Sequence, residues 1–206
     1  MEKYPALKVN RKDGNERFYS GETELSLNLS SFWQWSSSDL VNNTLRGMLA
    51  EYIVASAIGI EKGIRTEWDA YDLESPDGIK IEVKSSAYIQ SWPQKELSEI
   101  QFGIQPTHGW DAATNTYDKT LQRQSDVYVF CVLTHKVQET INPLNLSQWL
   151  FYIVATETLN NKVEHQKSIK LSSLKRLNPI ESSYSELKSA ITLALDKSAN
   201  KAVKRD

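Results

Sequence analysis

Residues 71–84 read YDLESPDGIKIEVK, and this stretch decides the fold. The triplet Pro76-Asp77-Gly78 is a turn signal, and apolar and charged residues alternate after it with the period of two that strands show. We therefore predict a hairpin of two strands, roughly 68–74 and 79–85, joined by a three-residue loop. In such a loop the glycine takes the left-handed conformation.

The predicted register brings two carboxylates together. Asp72 lies opposite Glu82, and directly opposed residues have Cβ atoms roughly 4.5 to 5.5 Å apart. Two carboxylates at that spacing share either a proton or a cation, and Mg²⁺ commonly takes one or two carboxylates. The main-chain carbonyl of Val83 is a candidate for a further oxygen ligand. Lys84 points to the same face as Glu82, where it could orient or deprotonate a water or neutralise charge on phosphorus.

A helix precedes the hairpin. Apolar residues recur at helical spacing in SSSDLVNNTLRGMLAEYIVASAIGI, which predicts a helix over about 38–58. Ser37 or Ser38 can cap its start, and Gly59 or Gly63 can end it.

Glu51 lies on the apolar stripe of this helix. A carboxylate is costly to bury there unless it is paired or coordinates a metal. We expect it to reach the carboxylates of the hairpin directly or through a water. The alternative is that it points to solvent at the edge of the stripe.

The rest of the chain predicts a mixed sheet flanked by helices. Two continuous apolar runs, residues 126–133 and 148–155, are rich in β-branched and aromatic residues and favour central strands. Residues 24–30 alternate like an edge strand. We expect one domain, 1–206, with its core at about 38–160, a C-terminal helix at about 180–198 and a basic tail at 199–206.

The polar segment from about 90 to 125 contains two prolines and two glycines. It predicts a short helix near 93–100 followed by a long loop, and loops of that length are usually functional. Trp92, Trp110 and Tyr117 interleave there with basic residues, a mixture that can stack bases and hold phosphates but is also common in plain loops.

Composition sets the class of protein. The 206 residues are 40% hydrophobic with a formal net charge of −2, which is typical of a globular domain and gives no global sign of a nucleic-acid binder. The N-terminus resembles no signal peptide and the apolar runs are too short to cross a bilayer, so we expect a cytoplasmic protein without membrane contact. The single cysteine, Cys131, lies in an apolar run and is expected in the core.

A helix glutamate, an aspartate at a strand end and Glu82-Val83-Lys84 on the next strand together resemble the PD-(D/E)XK nuclease superfamily. The resemblance covers roughly residues 38–90. It implies an α/β fold with a restriction-endonuclease-like core, and hydrolysis of phosphodiester bonds, most often in DNA, by a metal-activated water. Its catalytic residues would be Glu51, Asp72, Glu82 and Lys84.

The same resemblance implies a cofactor and, at Gln90, a polar residue near the site. Mg²⁺, with Mn²⁺ able to replace it, would be held by Asp72, Glu82, the Val83 carbonyl and Glu51. Substrate contacts are expected at Ser85, Ser86, Gln90 and Arg123. The sequence departs from the motif at Tyr71, which stands where the superfamily has proline.

Other interpretations stay open. The charges of the hairpin could form a solvated strand face, with Lys84 or Lys80 paired to Asp72 or Glu74. The fold could also serve as a nucleic-acid-binding or assembly module without cleavage, or act on another phosphate ester. Because cutting both strands of a duplex commonly calls for two active sites, a homodimer is one expectation.

Overall fold

The computed structural model describes residues 4, 7–66, 70–111 and 116–202. Its helices are α1 (Leu29–Ser36), α2 (Asn43–Ile58), α3 (Thr156–Val163), α4 (Leu171–Arg176) and α5 (Leu187–Ala202). Its strands are β1 (Arg17–Ser20), β2 (Thr23–Asn28), β3 (Leu73–Glu74), β4 (Lys80–Ala87), β5 (Gln101–Gly103), β6 (Thr107–Asp111), β7 (Thr116–Gln122), β8 (Val127–Leu133), β9 (Trp149–Ala155), β10 (Ser168–Lys170) and β11 (Ile180–Ser182).

Five strands form the central sheet, in the order β11–β9–β8–β4–β3. The β4 and β8 strands are parallel and the other neighbours are antiparallel, so the sheet is mixed. The two apolar runs form β8 and β9 at its centre, where both faces are covered and nearly every side chain is buried. The predicted α/β fold with a mixed sheet flanked by helices is confirmed.

Each face of the sheet carries its own apolar core. On one face α2 and α5 pack against Ile81, Val83 and Cys131, and Cys131 is fully buried as expected. On the other face the side chains of β5, α3, β10 and α4 pack against Phe130 and Tyr152. Because successive side chains of a strand alternate, Glu82 and Lys84 project from this second face.

The hairpin forms with the predicted loop. Gly78 has φ +79°, in the left-handed region, and its N–H donates to the Ser75 carbonyl at 2.9 Å. Leu73 pairs with Ile81, which sets the predicted register. The first strand is shorter than predicted, because β3 contains only residues 73 and 74. Residues 68 and 69 of the predicted strand lie outside the described part.

The predicted start of the long helix is wrong. It begins at Asn43 and is capped by Asn42, whose side chain accepts the Leu45 N–H at 2.9 Å. The Asp39 carboxylate accepts the N–H groups of Val41 and Asn42, which holds the preceding residues in a turn. The end is as predicted, since Gly59 adopts a left-handed φ of +83°.

The predictions for residues 90–125 are also wrong. No helix forms near 93–100; instead the Gln94 side chain accepts the Gln90 N–H at 2.7 Å and donates to Ser98, which holds an irregular segment. The expected long loop contains β5 and the antiparallel pair β6–β7. The pairing partner of β5 is β10, more than sixty residues later in the chain, so the local sequence gave no sign of it.

Smaller differences occur at the two ends. Residues 24–30 do contain a strand, but β2 pairs with β1 in a separate ribbon and the next residues start α1. The predicted helix at 180–198 starts only at Leu187, after β11. Residues 203–206 of the basic tail lie outside the described part. Within the described residues, no helix has both the length and the apolar character needed to cross a bilayer.

Candidate functional site

The site lies at the edge of the sheet, where β3 begins. The register of the hairpin places Asp72 one step before the Leu73–Ile81 pair, and so beside Glu82. Its Oδ2 accepts the Val83 N–H at 2.7 Å. This bond replaces the backbone hydrogen bond that a longer β3 would form with Val83. The N–H and C=O of one strand residue project to the same side, so the Val83 carbonyl faces this edge as well.

Lys84 is tied to the second carboxylate. Its Nζ donates to Glu82 Oε1 at 2.5 Å, and both side chains are half-buried, with 32% and 19% of their surfaces exposed. An ammonium that neutralises one member of an acidic pair lowers the repulsion between the two carboxylates. The sequence suggested pairing of Lys84 or Lys80 with Asp72 or Glu74, whereas the ion pair that Lys84 forms is with Glu82 of its own strand.

The pKa of Asp72 is raised to about 6. Burial is the main cause, and the neighbouring charges of Glu82 and Glu51 add to it, whereas Lys84 and the Val83 N–H oppose it. Two buried carboxylates next to each other disfavour full ionisation, and a bound cation would relieve that. The charge of Asp72 therefore changes near neutral pH.

The pKa of Lys84 is raised as well. Burial alone would lower it, but the charge and hydrogen bond of Glu82, together with the charges of Asp72 and Glu51, outweigh burial. The ammonium form is therefore the stable form at neutral pH.

Glu51 lies close to this cluster and is paired. Arg65 donates to both of its carboxylate oxygens, from Nε at 2.6 Å and from Nη2 at 3.1 Å, and only 12% of the Glu51 side chain is exposed. Arg65 was missed by the sequence analysis because it follows α2 in an irregular segment with no periodic pattern. A bidentate guanidinium satisfies Glu51 without a metal.

Two cavities open on either side of the acidic edge. The first, here called the acidic cavity, has a volume of about 500 Å³ and lies on the α2 side. Its charged lining residues are Glu51, Glu61, Arg65, Asp72 and Glu74. The second, the lysine cavity, has a volume of about 330 Å³ and is lined by Glu82, Lys84, Gly103, Gln105, Thr107, Tyr128 and Lys167.

The residues fit a small oxygen-binding cation. No group of three or more His, Cys, Asp and Glu side chains suited to a metal occurs among the described residues. Mg²⁺ does not need such a group, because it is commonly bound through one or two carboxylates and keeps several waters. Asp72 and Glu82, with the Val83 carbonyl, are a donor set of that kind.

The four expected substrate contacts lie in different surroundings. Ser85 and Gln90 both accept hydrogen bonds from Arg46, a buried arginine of α2, at 3.2 Å each. Ser86 is 8% exposed. Arg123 is also buried, and it donates to the Ile104 carbonyl at 2.8 Å and to Asn160 at 2.7 Å. Substrate contact by these residues stays a prediction.

Arg46 itself was missed by the sequence analysis. A signal was present, because a charged residue at position 46 precedes Ala50 and Ile53 on the buried stripe of α2. Its guanidinium donates to uncharged acceptors, namely Ser85, Gln90, Asn43 and the Val41 carbonyl. Arg46 thereby joins α2 to the end of β4.

A comparison with protein-family profiles matches residues 2–173 to the family described as Bacteriophage T4 endonuclease IV. No curated protein matches the chain. The matched region contains α2, the hairpin and both cavities, so every residue of the site described above lies within it. The chain belongs to the bacteriophage T4 endonuclease IV family, and it is a member of a nuclease family.

Proposed function

We propose that the protein is a Mg²⁺-dependent nuclease of the PD-(D/E)XK type that hydrolyses phosphodiester bonds in DNA. The observation that carries the proposal is the opposed pair Asp72 and Glu82 at the open sheet edge, with Lys84 bonded to Glu82. Membership of an endonuclease family supports nucleic acid as the substrate. A cleavage assay that includes both DNA and RNA tests whether the substrate is DNA.

Asp72, Glu82 and the Val83 carbonyl would hold the ion, and Mn²⁺ could replace Mg²⁺ there. When bound, the metal would polarise the phosphoryl group and lower the pKa of a water. Glu51, which is held by Arg65, would act through the charge it places near Asp72 or through a water.

Lys84 acts as a cation in this proposal. Since its pKa is raised, it enters the reaction protonated, and it can donate a hydrogen bond to an attacking water or to the negative charge that develops on the phosphoryl oxygens. Its bond to Glu82 fixes its position before substrate arrives. Asp72 contributes as a carboxylate, so we expect cleavage to fall as the pH drops through about 6.

The test is a cleavage assay on plasmid, linear duplex, single-stranded DNA and RNA. The assay runs with Mg²⁺, Mn²⁺ or EDTA, on the parent and on Asp72→Asn and Lys84→Ala. Two residues of the same hairpin provide matched controls, Glu74→Gln for the aspartate and Lys80→Ala for the lysine. We expect metal-dependent cleavage that the two site variants lose by at least about a hundredfold and that the two controls retain.

One observation favours a second function, that of a binding module that does not cleave. Glu51 and Glu82 are already neutralised by Arg65 and Lys84, so the cluster is partly balanced without a metal. Binding of nucleic acid without cleavage on any substrate would support this module. Cleavage that Lys84→Ala abolishes would exclude it, and cleavage unchanged in Asp72→Asn would overturn the assigned site.

A further inference from the structure

We propose that the lysine cavity is where the site binds the backbone phosphate of its substrate, and that Lys167 is the residue that binds it. This inference rests on the proposed function and adds to it a contact with the substrate that no sequence motif predicts. Lys167 lies far from the hairpin in sequence, in the turn between α3 and β10.

The two cavities differ in charge. Among its described lining residues the acidic cavity has four carboxylates against one guanidinium, and Glu61 Oε2 is buried with no hydrogen-bond partner among them. Such a lining repels a phosphate. Of the described residues that line the lysine cavity, one is a carboxylate, Glu82, and two are ammonium groups, Lys84 and Lys167. The anionic backbone is therefore favoured in the lysine cavity.

Within the lysine cavity, Lys84 is already paired. Its Nζ lies 2.5 Å from Glu82 Oε1, so the charges of these two residues largely cancel. Lys167 forms no ion pair or side-chain hydrogen bond with any of the described residues, and it is exposed. The net positive charge of the cavity therefore comes from Lys167.

The backbone holds Lys167 in place beside the site. Its carbonyl accepts the Ile104 N–H at 2.9 Å, and the next residue, Ser168, pairs with Gly103 across the β5–β10 ribbon. Gly103 lines the same cavity. The ribbon thus brings a cation from residue 167 to the face from which Glu82 and Lys84 project.

The other lining groups suit a phosphodiester. Gln105 and Thr107 supply neutral hydrogen-bond donors, and Tyr128 lies opposite Glu82 in the β4–β8 register. A phosphate bound between Lys167 and Lys84 would lie next to Glu82, and so next to the proposed metal. Phosphate contacts of this kind fix the register of a strand without reading its sequence.

The test measures binding and turnover by Lys167→Ala, Lys167→Arg and Lys170→Ala. Lys170 is the matched control, because it lies three residues away but is paired to Glu99 at 2.8 Å. Binding of fluorescent oligonucleotides, single-stranded and duplex, is followed by anisotropy in EDTA over a range of salt. KM and kcat are then measured with Mg²⁺.

We expect Lys167→Ala to weaken binding and raise KM by roughly three- to tenfold, equally for all sequences, with kcat nearly unchanged. The slope of log affinity against log salt should become shallower by about 0.7 for a single strand or about 0.9 for a duplex. Lys167→Arg should restore the affinity and the salt slope of the parent, and Lys170→Ala should change neither of them.

Two results would overturn the inference. One is a Lys167→Ala protein that binds and cleaves like the parent, and the other is an equal loss in Lys170→Ala. A parent protein that neither binds nor cleaves any oligonucleotide would instead overturn the proposed function, and the role of Lys167 would fall with it.

Discussion

Asp72 combines two roles that oppose each other. Its Oδ2 accepts the Val83 N–H and so completes the hydrogen bonding of the sheet edge, yet its charge is disfavoured by burial and by Glu82. A residue whose pKa is raised to about 6 is less stable in its ionised form than it would be in water. The fold accepts this cost at the position where we propose a metal.

The cost in stability can be measured by replacing the Asp72 carboxylate with an uncharged group. Asn at position 72 keeps an oxygen for the Val83 N–H but removes the charge, so at about pH 8 we expect Asp72→Asn to raise the free energy of unfolding by roughly 1 to 3 kcal/mol. Because the folded-state pKa lies above the unfolded one, the parent loses stability as the pH rises from about 4 to about 6. The gain should vanish at about pH 3, where both states of the parent are protonated.

Urea unfolding at several pH values in EDTA provides the measurement. Glu74→Gln, in which an exposed carboxylate of the same hairpin is removed, is the control and should shift stability by less than about 0.5 kcal/mol. A less stable Asp72→Asn protein at about pH 8 would show that the carboxylate contributes more through contacts than it costs through charge.

Among the elements, the hairpin was predictable and the segment after it was not. The turn triplet and the alternation after it lie within a few residues of each other, so the register, and with it Asp72, Glu82 and Lys84, follows from local sequence. The β5–β10 ribbon depends on pairing between distant segments, and no local pattern encodes that. Arg65, the partner of Glu51, was missed because it lies in an irregular segment with no periodic pattern.

The start of α2 shows a third case, in which the local signals compete. Ser38, Asp39 and Asn42 are all residues that favour the N-cap, and sequence alone does not rank them. Asp39 instead caps a turn and Asn42 caps the helix, so the helix starts about five residues later than predicted. The position of Glu51 on α2 is unaffected.

Gly78 permits a prediction about the hairpin as an element. A Cβ at this position meets no atom within 4 Å, so Gly78→Ala introduces only the strain of a left-handed φ of +79°. We expect a loss of about 1 to 2 kcal/mol in the free energy of unfolding, with cleavage retained because the register is kept.

Gly47→Ala is the matched control for that variant. Gly47 lies inside α2 and also has open space around it, so there the same change should raise stability by up to about 1 kcal/mol. Urea unfolding of both variants checks the pair. Equal effects of the same sign would mean that the turn tolerates the strain.

At the scale of the whole molecule, the family match does not include the last strand and the last helix of the fold. It ends at residue 173, whereas β11 completes the sheet and α5 places Leu187 and Ile191 in the core beneath α2. The site-bearing half of the chain therefore packs against residues outside the match. The division of the chain into one domain stays a prediction.

A pair of substitutions on α5 tests this dependence. Ile191 is 1% exposed and Leu193 is 44% exposed on the same helix. We expect Ile191→Asp to lower the free energy of unfolding by roughly 3 to 5 kcal/mol, because it buries a charge, and Leu193→Asp to change it little. Unfolding is followed by far-UV circular dichroism and by loss of cleavage, and the two should remain coincident. Separate transitions would show that α5 forms a second, independent unit.

The short edge strand has a further consequence, for the behaviour of the protein at high concentration. An exposed sheet edge offers free N–H and C=O groups to a strand of another molecule, and long uncovered edges promote aggregation. Here β3 offers two residues, and beyond them the Val83 N–H is already taken by the Asp72 carboxylate. An incoming strand would have to displace an anion to continue the ladder, so the carboxylate proposed to bind the metal also protects the sheet from joining another copy of itself.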